Sequence, residues 1–246
     1  MYSQKFYAHN IRATKNSAER IVKFITKIYY PLSVIDLGSS AGLFLREFID
    51  IGISDVIGVD GPWISADDLV IPSNKFIRHD FSKPLNLEHK YDLAMSLEVF
   101  EHLDEGVAKK MVEELSKLSN VILFSAAAPG QGGTHHVNEQ WPAFWASEFR
   151  KYDFDFIDIR PYIWDDNLIL PWYRQNLILY VKRNLRDKIL DQIVKLHMEG
   201  PLSLIHPEMT YLSLFEEDRH LLVRFALKIG TFLTRAVRAY SIQKKW

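Results

Sequence analysis

The chain has 246 residues, 48% hydrophobic and 25% charged, with a formal net charge of −1. That balance excludes a chain too polar to bury a core, and the length fits one large domain or one domain with a small appendage. There is no cysteine, which excludes disulfides, thiolate metal sites and cysteine nucleophiles.

The charge is uneven. Of 30 basic and 31 acidic residues, seven basic and no acidic ones fall in 219–246, which leaves residues 1–218 at −8. An acidic body argues against nucleic acid as the partner. The start, Met1-Tyr2-Ser3-Gln4-Lys5, lacks the charged-then-apolar pattern of a secretion signal, and no apolar run reaches the length of a membrane span. Cytoplasm is the expected location.

In chain order, Ala18, Ile21, Val22, Ile25 and Ile28 recur at helical spacing, so 10–30 reads as a helix ended by Pro31. A short buried strand follows over 33–37, closed by Gly38. A helix burying Leu43, Phe44, Phe48 and Ile49 comes next, then a second strand over 55–59 ending at Asp60. Strand, glycine turn, helix, strand is the opening of a parallel α/β unit. The alternation continues with strands at 76–78, 91–96 and 121–125 and helices at about 104–117 and 141–151. Strand candidates at 154–159 and 177–181 read either as further members of the series or as a closing antiparallel pair. Beyond 183 the pattern is helical, broken at Gly200-Pro201 and His206-Pro207. This divides the chain into 1–182 and a helical extension, 183–246.

The sharpest local feature is Val34-Ile-Asp-Leu-Gly-Ser-Ser-Ala-Gly-Leu43. Gly38 allows a tight turn, and Gly42 allows close backbone approach at a helix start whose N–H groups are free for a ligand. Ser39, Ser40 and Ala41 are small enough to leave room above the turn. A dinucleotide fingerprint asks for a third glycine where Leu43 stands. Asp60 ends the second strand, where a carboxylate can accept two ribose hydroxyls; its alternative is a turn aspartate before Gly61-Pro62. Asp80 can accept an adenine amino group or can order a turn beside Ser82 and Pro84.

The run VIDLGSSAGLFLREF resembles the first motif of class I S-adenosylmethionine (SAM)-dependent methyltransferases. GVDGPW resembles that family's acidic loop, and HDFSKPL and DLAMSLEVFEHL resemble its later motifs. The resemblance covers about residues 17–182. It implies a Rossmann-like α/β fold: a mostly parallel seven-stranded sheet with helices on both faces, here followed by the helical extension. It further implies SAM as cofactor, with Asp36 and Gly38 at the methionine end, Ser40 and Gly42 in the turn, and Asp60 and Gly61 at the ribose. Asp80 and Phe81 fall at the adenine, and Ser96 and Glu98 under the sulfonium. Ser40 departs from the pattern, which has a middle glycine there. SAAAPGQGGTHHVNEQWPAFW and IWDDNLILPWYRQNLILYV are similar to a bacterial subgroup linked to sugars and small natural products.

Methyl transfer from a sulfonium is a direct displacement, so the protein must align the partners and, for an oxygen acceptor, remove a proton. His102, with Glu98 or Glu101 orienting it, is one candidate base; the alternative is that this segment only shapes the SAM loop. The loop 131–140 holds the preferred candidates, His136 and His135, with Asn138, Glu139 and Gln140 set to contact acceptor hydroxyls. Its alternative is a solvated loop. Trp141, Trp145, Trp164, Trp172 and Tyr173 can line an acceptor pocket or pack the core, and Arg174, Gln175 and Asn176 can reach its mouth. His135, His136 and Glu139 fit no compact metal-ligand motif, and no metal is expected.

From Leu221 onward a helical apolar stripe carries Arg224, Lys228, Arg235 and Arg238 on its other faces. It suits packing on the domain, a homodimer contact or a weak membrane-surface contact. The reading is therefore a SAM-dependent O-methyltransferase acting on a small polar, sugar-like acceptor, with no nucleic-acid partner. A nucleotide-dependent oxidoreductase and a non-catalytic SAM-binding scaffold are the alternatives.

Overall fold

The structure, a computed structural model, describes the backbone of residues 4–192 and the side chains of 14–192. The basic stripe beyond Leu221 and the breaks near 200 and 206 lie outside the described residues.

Helix α1 (Gln4–Ile28) leads into β1 (Ser33–Leu37), α2 (Leu43–Asp50) and β2 (Asp55–Asp60). After β3 (Phe76–Arg78) and β4 (Leu93–Leu97) come α3 (Glu105–Leu118), β5 (Val121–Ser125), α4 (Pro142–Arg150) and β6 (Phe154–Asp158). The described chain closes with α5 (Pro171–Asn176), β7 (Ile178–Lys182) and α6 (Arg183–Gln192). Helix α1 starts earlier than its apolar spacing indicates and stops at Ile28, because the residue before Pro31 is disfavoured in helical geometry. Pro142 and Pro171 each open a helix, where the missing N–H costs nothing.

The strands form one sheet in the order β3-β2-β1-β4-β5-β7-β6. All neighbours are parallel except β7, which runs antiparallel to both β5 and β6. The last two strands are thus the antiparallel pair, with β7 inserted between its partner and the rest of the sheet. Central strands are apolar on both faces, as a sheet covered on both sides requires. Along β5 and β7 alternate residues enter opposite cores: Val121, Leu123, Leu179 and Val181 on one side, Ile122, Phe124, Ile178 and Tyr180 on the other. The first core is closed by α1, α2 and Ile189 of α6, the second by α3 and α4. Leu45, fully buried in α2, belongs to the first face beside Phe44 and Phe48, while Leu43 and Ile49 are only partly buried. Trp145 is core, packed at ring-centroid distances of 5.4–5.6 Å on Phe124 and Phe100.

Parallel strands bring their carboxyl ends to one edge, and β7 adds its amino end there. The chain reverses its winding direction between β1 and β4, and a sheet of this kind opens a crevice at that point. Among the described residues no helix is long and apolar enough to cross a membrane.

Candidate active site: an acidic crevice and a histidine cluster

The turn after β1 is left-handed three times over: Gly38, Ser40 and Gly42 have φ of 86°, 49° and 87°. A Cβ on Gly38 would overlap Cγ2 of Val99 and stand 2.9 Å from Cγ1, and one on Gly42 would stand 2.9 Å from Ile71. Both glycines are therefore demanded by the chain's own packing as well as by backbone sign. Ser40 holds the position where the family has its middle glycine, and its N–H donates to Asp60 Oδ2 at 2.7 Å. The other oxygen of Asp60 accepts from the Gly61 N–H at 2.6 Å. Asp60 thus faces the turn from the next strand. A carboxylate has about four acceptor sites, so two remain for a ligand. Burial raises its pKa, against the lowering effect of those two N–H groups.

Asp36, on β1, is 3% exposed, and its Oδ1 has no hydrogen-bond partner. Burial, and then the charge of Asp60, push its carboxyl up to about 7. Glu98 follows β4 with a left-handed φ of 55°. Its carboxylate accepts from Gln131 Nε2 at 2.8 Å and from Asn176 Nδ2 at 3.1 Å, and Asn176 Nδ2 also reaches Gln131 Oε1 at 2.8 Å. This triangle ties the ends of β4 and β5 to the start of β7. Burial raises Glu98, opposed by those hydrogen bonds. Glu101 is 1% exposed, its Oε2 is unpartnered, and burial and Glu98 together hold its carboxyl well above the usual range. The phenol of Tyr173, on α5, is raised by burial and then by Glu98, with Asp36 and Glu101 adding to the effect. One buried hydroxyl therefore feels carboxylates from β1 and from the turn after β4, so acids from both segments line the crevice.

The remaining cofactor candidates divide. Ser96 is fully buried and its hydroxyl donates to the Leu37 carbonyl at 2.8 Å, locking β4 against β1. Asp80 accepts from the backbone and hydroxyl of Ser82 at 3.0 and 2.7 Å, bonds that lower its pKa. Phe81 is buried beside it, in edge contact with His79. The His79 N–H donates to the Asp60 carbonyl at 2.8 Å, so this segment adjoins the end of β2. Trp63, 73% exposed, lays its indole over Gly61, a placement with no periodic signal in the sequence.

On the acceptor side the loop after β5 is pinned to the turn after β4. The Val137 and Asn138 N–H groups donate to the Glu101 carbonyl at 2.8 and 3.0 Å, and Asn138 Nδ2 donates to the Phe100 carbonyl. Glu139 accepts from the N–H groups of Gly130 and Gly132 at 2.8 and 2.9 Å and meets His136 Nδ1 at 2.8 Å. The rings of His136 and His102 pack edge to face at 4.8 Å, and His102 Nδ1 lies 3.4 Å from the His135 carbonyl. Burial and then His136 lower the pKa of His102. The carboxylate that orients an imidazole is thus Glu139 on His136, whereas Glu98 is committed to Gln131 and Asn176. His135 is exposed with a φ of 63°. Gln140 turns back on Asn138 at 3.1 Å.

Buried carboxylates without cations are costly unless a positive ligand meets them. SAM, with a sulfonium and an ammonium, has the required charge. The orphaned Oδ1 of Asp36 and the spare acceptor sites of Asp60 fit its cationic and hydroxyl groups. This sheet order and this crevice define a class I SAM-dependent methyltransferase. Residues 7–159 match the methyltransferase domain family, and the chain belongs to it. The oxidoreductase alternative is thereby set aside. Among solved structures, the methyltransferase domain of bacterial CtHen1 superposes with a TM-score of 0.52 at 17% identity, over 69% of this chain and 98% of that one. The CcbJ methyltransferase of Streptomyces caelestis gives 0.51 at 12%, over 68% and 95%. A candidate O-methyltransferase of Nostoc punctiforme gives 0.50 at 15%, over 68% and 56%. At these identities the likeness concerns the fold. No curated protein matches the sequence at a significant level.

Proposed function

We propose that the enzyme methylates an oxygen of a small polar acceptor of the sugar or natural-product kind. The observation that carries this is the cluster His102–His136–Glu139, held rigidly at the carboxyl edge of the sheet next to the acidic crevice. A hydroxyl must lose a proton as its oxygen is methylated, and a cluster of this kind provides for that loss. Bound SAM supplies a methyl group on a sulfonium. In this reading Asp60 holds the ribose hydroxyls, Asp36 and the 38–42 turn face the methionine end, and Asp80 and Phe81 border the adenine. Glu98 keeps the floor in place through Gln131 and Asn176. The acceptor's proton is lost at the histidine cluster, with His135 and Gln140 at the rim. The helical extension opens with α6, docked on the sheet through Ile189. Its basic stripe is proposed to serve packing, pairing or surface contact rather than nucleic-acid binding.

The test is His136→Ala, assayed against a panel of hydroxylated sugars and small natural products with SAM binding followed in parallel. SAM affinity stays within about twofold, and turnover falls on the order of 100-fold, the usual contribution of acid–base catalysis. Undiminished turnover removes the cluster from the chemistry.

A further inference from the structure

We propose that Glu101, His102 and His136 form a binding site for a divalent transition-type cation such as zinc or manganese. One ligand atom from each of the three lies within 4.8 Å of the others. Glu101 comes from the turn after β4, and so does His102; His136 comes from the loop after β5. No local spacing in the sequence announces them, which is why the sequence reading expects no metal.

Three observations point to a ligand there. The first is Glu101 itself: it is 1% exposed, and its Oε2 has no partner among the described residues. A carboxylate oxygen with no donor in so closed a place is expensive, and a cation is the partner that removes the expense. The second is the state of the two rings. His136 meets Glu139 through Nδ1, and His102 meets the His135 carbonyl through Nδ1. Each ring therefore has Nε2 to offer. Imidazole with one nitrogen held by a carboxylate or carbonyl and the other on a metal is the usual outer-shell pattern of histidine ligands. The third is rigidity. Backbone bonds from Val137 and Asn138 to the Glu101 carbonyl fix the two ligand-bearing segments against each other, so little order is lost on binding.

The donor set favours the cation class named. Two imidazoles and one carboxylate suit zinc, manganese, iron or cobalt better than magnesium or calcium, which prefer oxygen alone. Ligands on a tetrahedral zinc ion stand about 3.4 Å apart, so modest side-chain rotation closes the cluster. Three protein ligands leave at least one position open, and the exposure of His102 puts solvent within reach of it. Catalytic rather than purely structural metal sites keep such an opening.

The role of the ion rests on the proposed oxygen acceptor. An acceptor hydroxyl that takes the open position becomes more acidic, and its proton leaves to water. The oxygen electron pair forms the new bond to the methyl carbon, and the carbon–sulfur pair stays on sulfur, leaving a neutral thioether. The two imidazoles then act as ligands, and Glu139 as the group that positions one of them.

The experiment treats the full chain with a chelator and then dialyses it against micromolar Co²⁺, Zn²⁺, Mn²⁺ or Mg²⁺. Bound metal is measured by elemental analysis and Co²⁺ by its visible absorption. SAM titration reports that each variant is folded. We expect about one Co²⁺ or Zn²⁺ per chain, little Mg²⁺, and affinity at least tenfold weaker in both His102→Ala and Glu101→Gln. The proposal is overturned if the wild type retains no Co²⁺, or if both variants bind Co²⁺ as the wild type does. Metal binding that is lost in the variants, with no hydroxyl compound methylated, upholds the site and removes the acceptor reading. Hydroxyl methylation at full rate by chelated, metal-free protein removes the ion from the reaction and upholds the acceptor reading.

Discussion

The buried carboxyl of Asp36 makes SAM affinity pH-dependent in a calculable way. In the free protein it titrates at about 7, above its ordinary value of 3.8, because of burial and Asp60. A folded-state pKa above the unfolded one means that the folded chain holds the extra proton. This contribution to stability is complete below about pH 4 and is lost as pH rises through 7. At 1.36 kcal/mol per unit, the ionised group costs the free fold about 4 kcal/mol by pH 8, as an order of magnitude. A cationic ligand beside Oδ1 reverses this preference, so binding requires the ionised form. Between pH 8 and pH 6 the ionised fraction falls about tenfold, and the SAM dissociation constant should rise by the same factor. Titration calorimetry in buffers of different ionisation enthalpy should also show proton release near pH 6.5. Asp36→Asn removes the part of the pH dependence that belongs to this group; what persists belongs to the other raised carboxyls of the crevice and to the ligand's own ammonium. In chemical denaturation at pH 8 the same variant should be more stable than the wild type without ligand. A dissociation constant with equal pH dependence in wild type and Asp36→Asn refutes the reasoning.

Asp60→Ala removes a buried acceptor from Ser40 and Gly61 and from the ligand; SAM affinity measured by titration should fall 10- to 100-fold, the worth of charged hydrogen bonds. Gly38→Ala places a methyl against Val99 at a φ of 86° and should cost about 3 kcal/mol in denaturant unfolding. The double variant with Val99→Ala should recover only the steric part. Asn176→Leu strips Glu98 and Gln131 of a shared donor; a loss of roughly 2–4 kcal/mol in unfolding free energy is expected, and a variant as stable as wild type would mean that the triangle contributes nothing.

The strands were legible because they are short apolar runs bounded by glycine, proline or charge, and 76–78 and 121–125 agree residue for residue with β3 and β5. The insertion of β7 was not, since strand order depends on which edge is vacant and no residue in 177–181 encodes it. The turn at 38–42 was legible because glycine spacing reports backbone sign directly. Ser40 shows the limit: a non-glycine at φ 49° is tolerated through the hydrogen bond to Asp60, a contact 20 residues away. On the acceptor side the residue types were visible but the pairings were not. Glu139 orienting His136 follows from a loop that doubles back, and Glu98 bonding Gln131 and Asn176 follows from three strands meeting. Ser96 reads as a site residue from its motif, and the bond of its hydroxyl to the Leu37 carbonyl across the sheet was not legible there.

The placement of β7 bears on how the chain is made. Among the described residues strand β6 hydrogen-bonds to β7 alone, yet it leaves the ribosome first. Until residues 178–182 emerge, β6 is an unsatisfied ribbon and the flank of β5 is bare, a form open to association with other chains. Asp155 and Asp158 on that ribbon discourage such pairing during the wait. Asn176 arrives with the same late segment, so the nascent enzyme acquires the last support of Glu98 in the step that closes its sheet.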